Sequence, residues 1–454
     1  MSKYIVEKSK QDNSIFAWIG VFLLIFNVFL TIVIKIILGK EYPALNMAFL
    51  VGSVLFLAFY LFLENKFTSK YMNLTFMEIY LVLLFLVMVI TSLSNLNDNF
   101  AYIVRFLFLI ITISFMKFDD KLSKIVFFVL LGVMSVHLIC TLWFTIDKDF
   151  YLKNILPTFD SKAQRHLYYQ VVHNNFSTGF AGHFSLNGMY MAIMTILSYS
   201  ILFYKKLDIK KFIFFGICLL ALFMTGKRGA LLFTIFAIII TYFICNKDSL
   251  ANKLGKGILI LVCIGAILYV LSFYIDGISS TVNRILNSGN SDVSSGRFEL
   301  YKIAWEKFLD RPVLGIGWRE YSNIIDKYYA QYRGSFMDAH NVYLQLLCET
   351  GIIGFGIFVG FFISSYIKTV RLILAAKSTP GAISEISWVL LVFSLCYQTF
   401  FLAYCMTGNP LYDISTMYVY FFSVGFCYNI NHRFNPFKKE KRVSKYIRRG
   451  YVGE

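Results

Sequence analysis

His340 and Asn341 stand where a polar segment runs into an apolar, glycine-spaced stretch, MDAHNVYLQLLCETGIIGFGIF at residues 337–358. Histidine is the side chain whose pKa best suits a general base near neutral pH. On a helix beginning at residue 340, Asn341, Gln345 and Glu349 would share one side, and His340 would face roughly away from Glu349. Glu349 could then orient His340 only if the helix breaks between them. A solvated or helix-capping histidine is the alternative that these residues leave open.

Arginines beside apolar runs form a second group of candidates: Arg228 in TGKRGALL, Arg297 in SSGRFEL and Arg105 within an apolar run. A guanidinium stays charged at physiological pH and can clamp phosphate oxygens in a bidentate fork. Two such groups beside lipid indicate a phosphorylated lipid ligand, with simple anchoring to head groups as the alternative. An unpaired cation inside an apolar run is costly, so Arg105 is predicted to face the same site.

An amphipathic helix is predicted for RFELYKIAWEKFLD at 297–310. Its aromatic residues recur at helical spacing, away from its charged ones, which is typical of a helix lying on a surface. The aromatic stripe consists of Phe298, Tyr301, Trp305 and Phe308. Arg311 precedes Pro312, which disfavours helix and ends the element there.

The next stretch, GIGWREYSNIIDKYYAQYRG, predicts a turn and a second short helix rich in tyrosine. With Arg311, its Arg319 and Tyr321 are candidate contacts for a phosphate or a glycan, and Glu320 is a candidate acid. Gly315 and Gly317 do not form a dinucleotide fingerprint, because a third glycine and a strand-turn-helix context are missing.

A first histidine-rich segment lies at about 146–183, and its basic residues stand among tyrosines and phenylalanines. They are Arg165, His166, His173 and His183. This composition resembles a surface for a polar ligand with a ring, and an aromatic loop resting on the membrane is an equal alternative. The wide histidine spacing matches no compact metal-ligand pattern, so no metal site is predicted.

The composition sets the context for these residues. Of 454 residues, 58% are hydrophobic and 15% are charged, and the mean hydropathy is +0.64. Such a chain cannot bury its apolar surface in one soluble core, so we predict an all-α, polytopic membrane protein. About twelve apolar runs are long enough to span a bilayer: 15–34, 44–63, 75–94, 100–116, 124–145, 184–204, 212–226, 228–245, 257–275, 351–373, 387–407 and 411–430. TGKRGA separates the seventh run from the eighth, where a single long broken element is the alternative.

Lysine and arginine recur in alternate connecting segments, which predicts that these segments and both termini are cytoplasmic. The net charge of +17 is then an orientation signal and a tail facing anionic lipid, rather than a nucleic-acid surface. The predicted organisation has helices 1–5 at 1–145, helices 6–9 at 184–275, helices 10–12 at 351–430 and a basic tail at 431–454. Two large outer segments lie between them, at 146–183 and 276–350, and the second is the predicted active-site loop.

The eight cysteines lie almost wholly in apolar runs and form no C-x-x-C pair. They are predicted to be packing residues rather than a disulfide framework. The first apolar run lacks a small-residue cleavage site and is long enough to span, which predicts an uncleaved anchor.

Three blocks in order resemble the bacterial O-antigen ligase and polymerase family: GKRGALL, SGRFELYKIAWEKFLDRPVLGIGWREY and AHNVYLQLLCETGIIGF. His340-Asn341, nine residues, and then Gly351-x-x-Gly354 is similar to the histidine-loop signature of that family. The resemblance is sharp over about 225–360 and covers only the helix count and the outer loops elsewhere.

The resemblance implies an all-helical, metal-independent glycosyltransferase at the outer face of a bacterial plasma membrane, without a cofactor. Its donor would be an oligosaccharide on undecaprenyl pyrophosphate. Arg228 and Arg297 match positions expected to hold the pyrophosphate, and His340 matches the proposed activator of the acceptor hydroxyl. Gly351 and Gly354 would be structural. Partners implied by such a role are membrane lipids and other assembly proteins, such as a flippase or a chain-length regulator.

The motifs do not separate a polymerase from a ligase. A composition rich in Lys, Ile, Phe and Asn favours an AT-rich genome and, weakly, an organism without lipid A, so a polymerase is the preferred prediction. A ligase acting on lipid A-core or another acceptor is the alternative. A flippase or transporter would predict internal repeats and charged residues spread over both halves, and the sequence shows neither.

Overall fold

The computed structural model describes residues 13–30, 43–64, 76–93, 96–117, 119–205, 208–246, 297–329 and 337–434, with scattered positions between them. Within these ranges the fold is all-α, as predicted, and no strand occurs. Most of the predicted ninth run, of the entry to the second outer segment and of the basic tail lies outside the described residues.

The long helices follow the apolar runs. The first five are α1 (Ser14–Phe29), α2 (Pro43–Leu63), α3 (Phe76–Thr91), α4 (Leu96–Met116) and α5 (Asp120–Ile146). A short α6 (Ser161–Tyr168) precedes α7 (Phe184–Ile201), α8 (Ile209–Met224) and α9 (Arg228–Cys245). The remaining helices are α10 (Arg297–Asp310), α11 (Glu320–Tyr328), α12 (Val342–Ser378), α13 (Glu385–Tyr404) and α14 (Ile414–Arg433).

Seven helices of the described residues are long and apolar enough to cross a membrane, and two shorter apolar helices, Ser14–Phe29 and Met77–Thr91, accompany them. The chain is thus a polytopic membrane protein, while the number of twelve spans stays a prediction. The predicted seventh and eighth runs are two separate helices, because α8 ends at Met224 and α9 begins at Arg228. Gly226 makes the turn between them with a φ of 68°, which a side chain rarely adopts.

The tenth run differs from its predicted start at residue 351. Helix α12 begins at Val342 and is interrupted at Gly351, whose φ of 62° and ψ of −172° are not helical. The turn at 312–317 packs against this kink. The N–H groups of Ile316 and Gly317 donate to the carbonyls of Cys348 and Glu349 at 3.0 Å each, and the N–H of Ile352 donates to Pro312 O at 2.9 Å. The kink therefore leaves these backbone groups paired in an apolar environment, as a membrane protein requires.

Glycine is required at this junction for steric reasons. A Cβ on Gly351 would lie 2.3 Å from Val313 O, and a Cβ on Gly315 would lie 2.3 Å from the Glu349 carbonyl carbon. Gly354 lies one turn further along, where a Cβ would come within 2.9 Å of Val87 on α3. The turn and the kinked helix can approach this closely only because both carry glycine.

The amphipathic helix α10 has the predicted bounds, but the face that packs is not the predicted aromatic stripe. Leu300, Ile303 and Ala304 are its buried residues, and α10 packs against α12. Phe298 is 73% exposed and Trp305 is 48% exposed. The aliphatic stripe therefore holds α10 on the protein, while much of the aromatic stripe stays available to an external surface.

The helix ends form two groups that match the predicted alternation. In one group, Trp318 N donates to Thr91 O, Val342 N donates to Cys405 O and Ser177 N donates to Met224 O, at 2.8 to 3.1 Å. In the other group, Asn429 Nδ2 donates to Met116 O at 2.7 Å, and Lys377 Nζ donates to Ile244 O at 2.9 Å. The first group joins segments predicted to be outer and the second joins segments predicted to be cytoplasmic, and the side of the membrane that each group faces stays a prediction.

We expect a reporter fused after residue 445 to be active on the cytoplasmic side and one inserted near residue 290 to be active on the opposite side. Paired phosphatase and fluorescent-protein fusions measure both positions, because each reporter works in only one compartment. A cytoplasmic signal from the insertion at residue 290 would contradict the prediction and separate the candidate site from an outer-face substrate.

Candidate active site

His340 precedes helix α12 and is not part of it. The helix is capped by Asn341, whose side-chain oxygen accepts from Tyr343 N at 3.0 Å and Leu344 N at 3.1 Å. His340 itself has a φ of 53°, an uncommon conformation for a residue with a side chain. The direction of its imidazole is therefore set by this turn, and not by the helical register that relates Asn341 to Glu349.

The backbone around His340 is held on both sides. Its carbonyl accepts from the Tyr301 hydroxyl at 3.4 Å, and Ala339 N donates to Gln345 Oε1 at 3.0 Å. On the helical side, Val342 N donates to Cys405 O at 2.8 Å. These contacts fix the left-handed turn that presents the His340 side chain.

The imidazole of His340 lies in a positive environment. Burial first, and then the charges of Arg297 and Lys227, lower its pKa from 6.5 to about 4, while Asp338 acts in the opposite direction. At neutral pH the ring is then uncharged and has a free nitrogen lone pair. Such a ring can accept a proton, although burial and the two nearby cations keep its basicity weak.

Arg297 begins α10 and reaches the segment between α13 and α14. Its Nη1 donates to Thr407 O at 3.1 Å, and no carboxylate pairs with it among the described residues. One backbone carbonyl uses only part of the guanidinium fork. The remaining N–H groups can bind an anion.

Lys227 was not selected from the sequence, but it connects the two outer segments. Its charge acts on His183 of the first segment and on His340 of the second. Its stem packs at Gly188, where a Cβ would lie 2.5 Å from Lys227 Cβ. The sequence contained a signal for it: a Lys-Arg pair at a predicted outer helix end runs against the enrichment of basic residues in cytoplasmic loops. Arg228, the second residue of that pair, is the first residue of α9.

The first outer segment reaches this site through His183. His183 caps α7 by accepting from Ser185 N at 3.1 Å, and its ring stacks on His166 with centroids 5.2 Å apart. Burial, followed by the charges of His166 and Lys227, lowers its pKa from 6.5 to about 4. His173 and Arg165 are exposed. The structure thus brings His183 to the neighbourhood of Lys227 but leaves Arg165 on the surface.

Another part of the outer end holds Arg105 and Arg319. The Arg319 guanidinium lies 5.2 Å from the centre of the Tyr102 ring, and Arg105 is one helical turn from Tyr102 on α4. Arg311 is exposed. Tyr321 is fully buried, and its hydroxyl donates to Leu300 O at 2.7 Å. In this conformation the Tyr321 ring is packed inside the protein, and it presents no exposed face to a ligand.

Glu349 lies beneath the site and is fully buried. Its carboxylate accepts from Gln345 Nε2 at 3.0 Å, from the Tyr412 hydroxyl at 2.8 Å and from Tyr321 N at 3.4 Å. These contacts join α12, the start of α11 and the segment before α14. Glu320 is partly exposed at the first turn of α11. Of the two candidate acids, Glu349 is therefore buried within the protein, whereas Glu320 is partly accessible.

No cluster of three or more His, Cys, Asp or Glu residues suited to a metal ion occurs among the described residues. The charged groups that surround His340 are the side chains of Arg297, Lys227 and Asp338. Arg297 and Lys227 can bind an anion and help to keep the imidazole neutral, which suits acid–base chemistry on a phosphorylated ligand.

We expect Asn341→Ala to destabilise the protein by about 1 kcal/mol, because it deletes the acceptor for two N–H groups at the start of α12. Asn341→Ser retains a capping oxygen and should lose less. Thermal unfolding of the purified variants in detergent measures both effects. An unchanged midpoint for Asn341→Ala would contradict a capping role, and a turnover loss as large as that of His340 variants would assign Asn341 a direct part in the chemistry.

A comparison with known families matches part of the chain. The family model described as O-antigen ligase matches residues 212–359, about a third of the chain, and this range includes Arg228, Arg297 and His340. No curated protein matches the chain. An all-helical membrane protein with this domain is a polysaccharide-assembly enzyme. The match over residues 212–359 supports a member of the O-antigen ligase and polymerase family.

Proposed function

We propose that the protein is a polymerase of a bacterial surface polysaccharide. It transfers glycan from an undecaprenyl-pyrophosphate donor to a repeat unit on a second carrier, at the outer face of the plasma membrane. The observation that carries this proposal is the position of a neutral, half-buried imidazole, His340, within electrostatic reach of Arg297 and Lys227. A base beside a phosphate-binding cation is the arrangement that this transfer needs.

In the proposed reaction, the oxygen of an acceptor hydroxyl attacks the anomeric carbon of the donor sugar. The bond between that carbon and the pyrophosphate oxygen breaks, and undecaprenyl pyrophosphate leaves with the bonding electrons. His340 takes the hydroxyl proton. The leaving group needs charge stabilisation more than a proton, and guanidinium and ammonium groups supply it without a metal ion or a cofactor.

Donor binding should strengthen the base. Burial, and after it the charges of Arg297 and Lys227, lower the pKa of His340 in the free protein, and a bound pyrophosphate would compensate the two charges. The imidazole then becomes a better proton acceptor when the donor is in place. Between turnovers, when no donor is bound, the low pKa would keep the His340 imidazole unprotonated.

The pH dependence follows from this coupling. In the free protein the pKa of His340 is about 4, so kcat/KM should stay level as the pH falls from 8 to about 5. The profile of kcat, which reports the donor complex, should fall at a higher pH, because the donor raises the pKa of the same imidazole.

Folding must be checked over the same range. His183 and His340 bind protons more weakly in the folded protein than the ordinary histidine pKa of 6.5 implies. Stability is therefore lost as the pH falls below about 6.5, and rates should be compared only where the unfolding midpoint is unchanged. Coincident acid limbs of kcat and kcat/KM near pH 6.5 would contradict the coupling.

The ligase is the alternative, favoured by the family model's description, O-antigen ligase. Purified protein supplied only with carrier-linked repeat units separates the two activities. A polymerase yields a ladder of lengthened glycans and one free undecaprenyl pyrophosphate for each bond formed. A ligase yields no ladder and releases carrier only when lipid A-core or another acceptor is added.

A further inference from the structure

We infer that Arg105 and Arg319 form a second site for a lipid-linked pyrophosphate, distinct from the cluster of Lys227, Arg228 and Arg297. The inference rests on the proposed function and deepens it. A polymerase joins two substrates that each carry a pyrophosphate, so its outer face must accommodate two such groups.

Arg105 is the first observation. It lies on α4 within the apolar span Asn99–Met116, six residues or about 9 Å along the axis from Asn99. Its side chain is only partly exposed. Among the described residues its guanidinium has no ion pair and no side-chain hydrogen bond. A cation at this depth is costly without an anion, and intramembrane cations of this kind usually mark a ligand site.

Arg319 places a second cation above it. Arg319 is exposed, and its guanidinium lies over the ring of Tyr102 at 5.2 Å. Tyr102 and Arg105 are three residues apart on α4, so they share one helix face. Arg319 also has no ion pair within the described part of the chain. Two unpaired cations on one face, one at the surface and one deeper, suit the two phosphates of a carrier whose tail lies in the bilayer.

The backbone around Arg319 is fixed for this position. Arg319 has a φ of 61°, and the residue before it, Trp318, is held to both neighbouring helices. Trp318 N donates to Thr91 O at 3.1 Å, and Asn99 Nδ2 donates to Trp318 O at 2.9 Å. A left-handed turn held on both sides presents the guanidinium to the end of α4.

Two acidic groups act on Tyr102, and both are already engaged. Asp413, whose charge acts on Tyr102, caps α14 by accepting from Thr416 N at 2.9 Å and from the Ser415 hydroxyl. Glu349 also acts on Tyr102 but is buried in its own hydrogen-bond set. Neither carboxylate forms an ion pair with Arg105 or Arg319, so both cations can bind a ligand.

One short segment connects the two clusters. Arg297 donates to Thr407 O, and the Tyr102 hydroxyl, beneath Arg319, donates to Leu411 O. Four residues of extended chain span at most about 14 Å, so the attachment points at Thr407 and Leu411 lie close together. The clusters thus flank one reaction region, as a donor and an acceptor must.

The test counts bound carriers. Native mass spectrometry of the purified protein titrated with undecaprenyl pyrophosphate should detect two bound molecules. Arg105→Gln with Arg319→Gln should leave one, Arg228→Gln with Arg297→Gln should also leave one, and all four substitutions should leave none. Arg371→Gln, an exposed arginine on α12, should retain two. Phosphatidylglycerol at the same concentrations should not compete, which separates a pyrophosphate site from a general head-group contact.

Arg319→Gln alone keeps the test valid if Arg105→Gln prevents folding, because Arg319 is exposed. It should weaken the second binding event by about 10- to 100-fold, the usual loss for one charge-assisted contact. Two results would overturn the second site and leave the proposed function intact. In one, the Arg105 and Arg319 variants still bind two carriers. In the other, the wild-type protein binds a single carrier and substitution of either arginine pair abolishes its binding. No binding to the wild-type protein would overturn both.

Discussion

His340→Asn should reduce glycan transfer by roughly 10²- to 10⁴-fold, the usual contribution of a general base, while the affinity for the donor changes little. Asparagine is the appropriate replacement because His340 has a φ of 53°, and asparagine adopts this left-handed conformation more readily than most residues. The variant should therefore fold as well as the wild type. His340→Ala should lose as much activity, with a small additional cost in stability.

The alternative for His340 is a turn residue that only connects α11 to α12. In that case His340→Asn would keep the turn and retain nearly full activity. His432→Ala, at the opposite end of the bundle, is the matched control and should transfer glycan normally. The measurements are single-turnover transfer with purified carrier-linked oligosaccharide, donor binding and the unfolding midpoint. Near-normal turnover of folded His340→Asn would remove the base from the mechanism, and Glu320 would be the next acid group to test.

Hydrophobic run length predicted most of the fold, because a helix that spans a bilayer must be long and apolar throughout. At TGKRGA the sequence indicated an interruption of the apolar pattern but left two helices and a single long broken element as alternatives, which only the structure separates. The kink at Gly351 was not predictable from the same pattern. The run from Val342 to Ser378 is continuous in hydropathy, and its interruption depends on the turn at 312–317, which is distant in sequence and supplies the partners for the freed backbone groups.

The residues of the candidate site also divide into those that the sequence predicted and those that only the fold revealed. His340, Arg297 and Arg228 were predicted from their side-chain chemistry, because few side chains can act as a base or clamp a phosphate. Lys227 was missed because lysine at a helix end is usually an anchor, and its significance comes from lying between two outer segments that only the fold brings together. The packed face of α10 was missed because its aromatic stripe is more conspicuous than the aliphatic stripe of Leu300 and Ile303.

Arg297→Ala should lower kcat/KM for the carrier-linked donor by about 10²- to 10³-fold, the loss expected when one preorganised charge on a leaving group is removed. The same substitution should raise the pKa of His340, because the Arg297 charge helps to hold it down. The acid limb of kcat/KM should accordingly move to higher pH. Arg228→Ala should weaken donor use in the same way, because its guanidinium is proposed to share the clamp.

Arg297→Lys distinguishes geometry from charge. An ammonium keeps the positive charge near His340 but cannot form the bidentate fork, so it should restore the pH profile while recovering only part of kcat/KM. Lys302→Ala is the matched control, since Lys302 lies on the same helix and its ion pair with Glu306 is long, at 3.9 Å, and exposed. If Arg297 only anchored α10 to lipid head groups, both alanine variants of the arginines would retain full activity with purified donor, and the acid limb would stay in place. A shifted acid limb together with partial rescue by lysine requires that the guanidinium act on the imidazole and on the pyrophosphate at once.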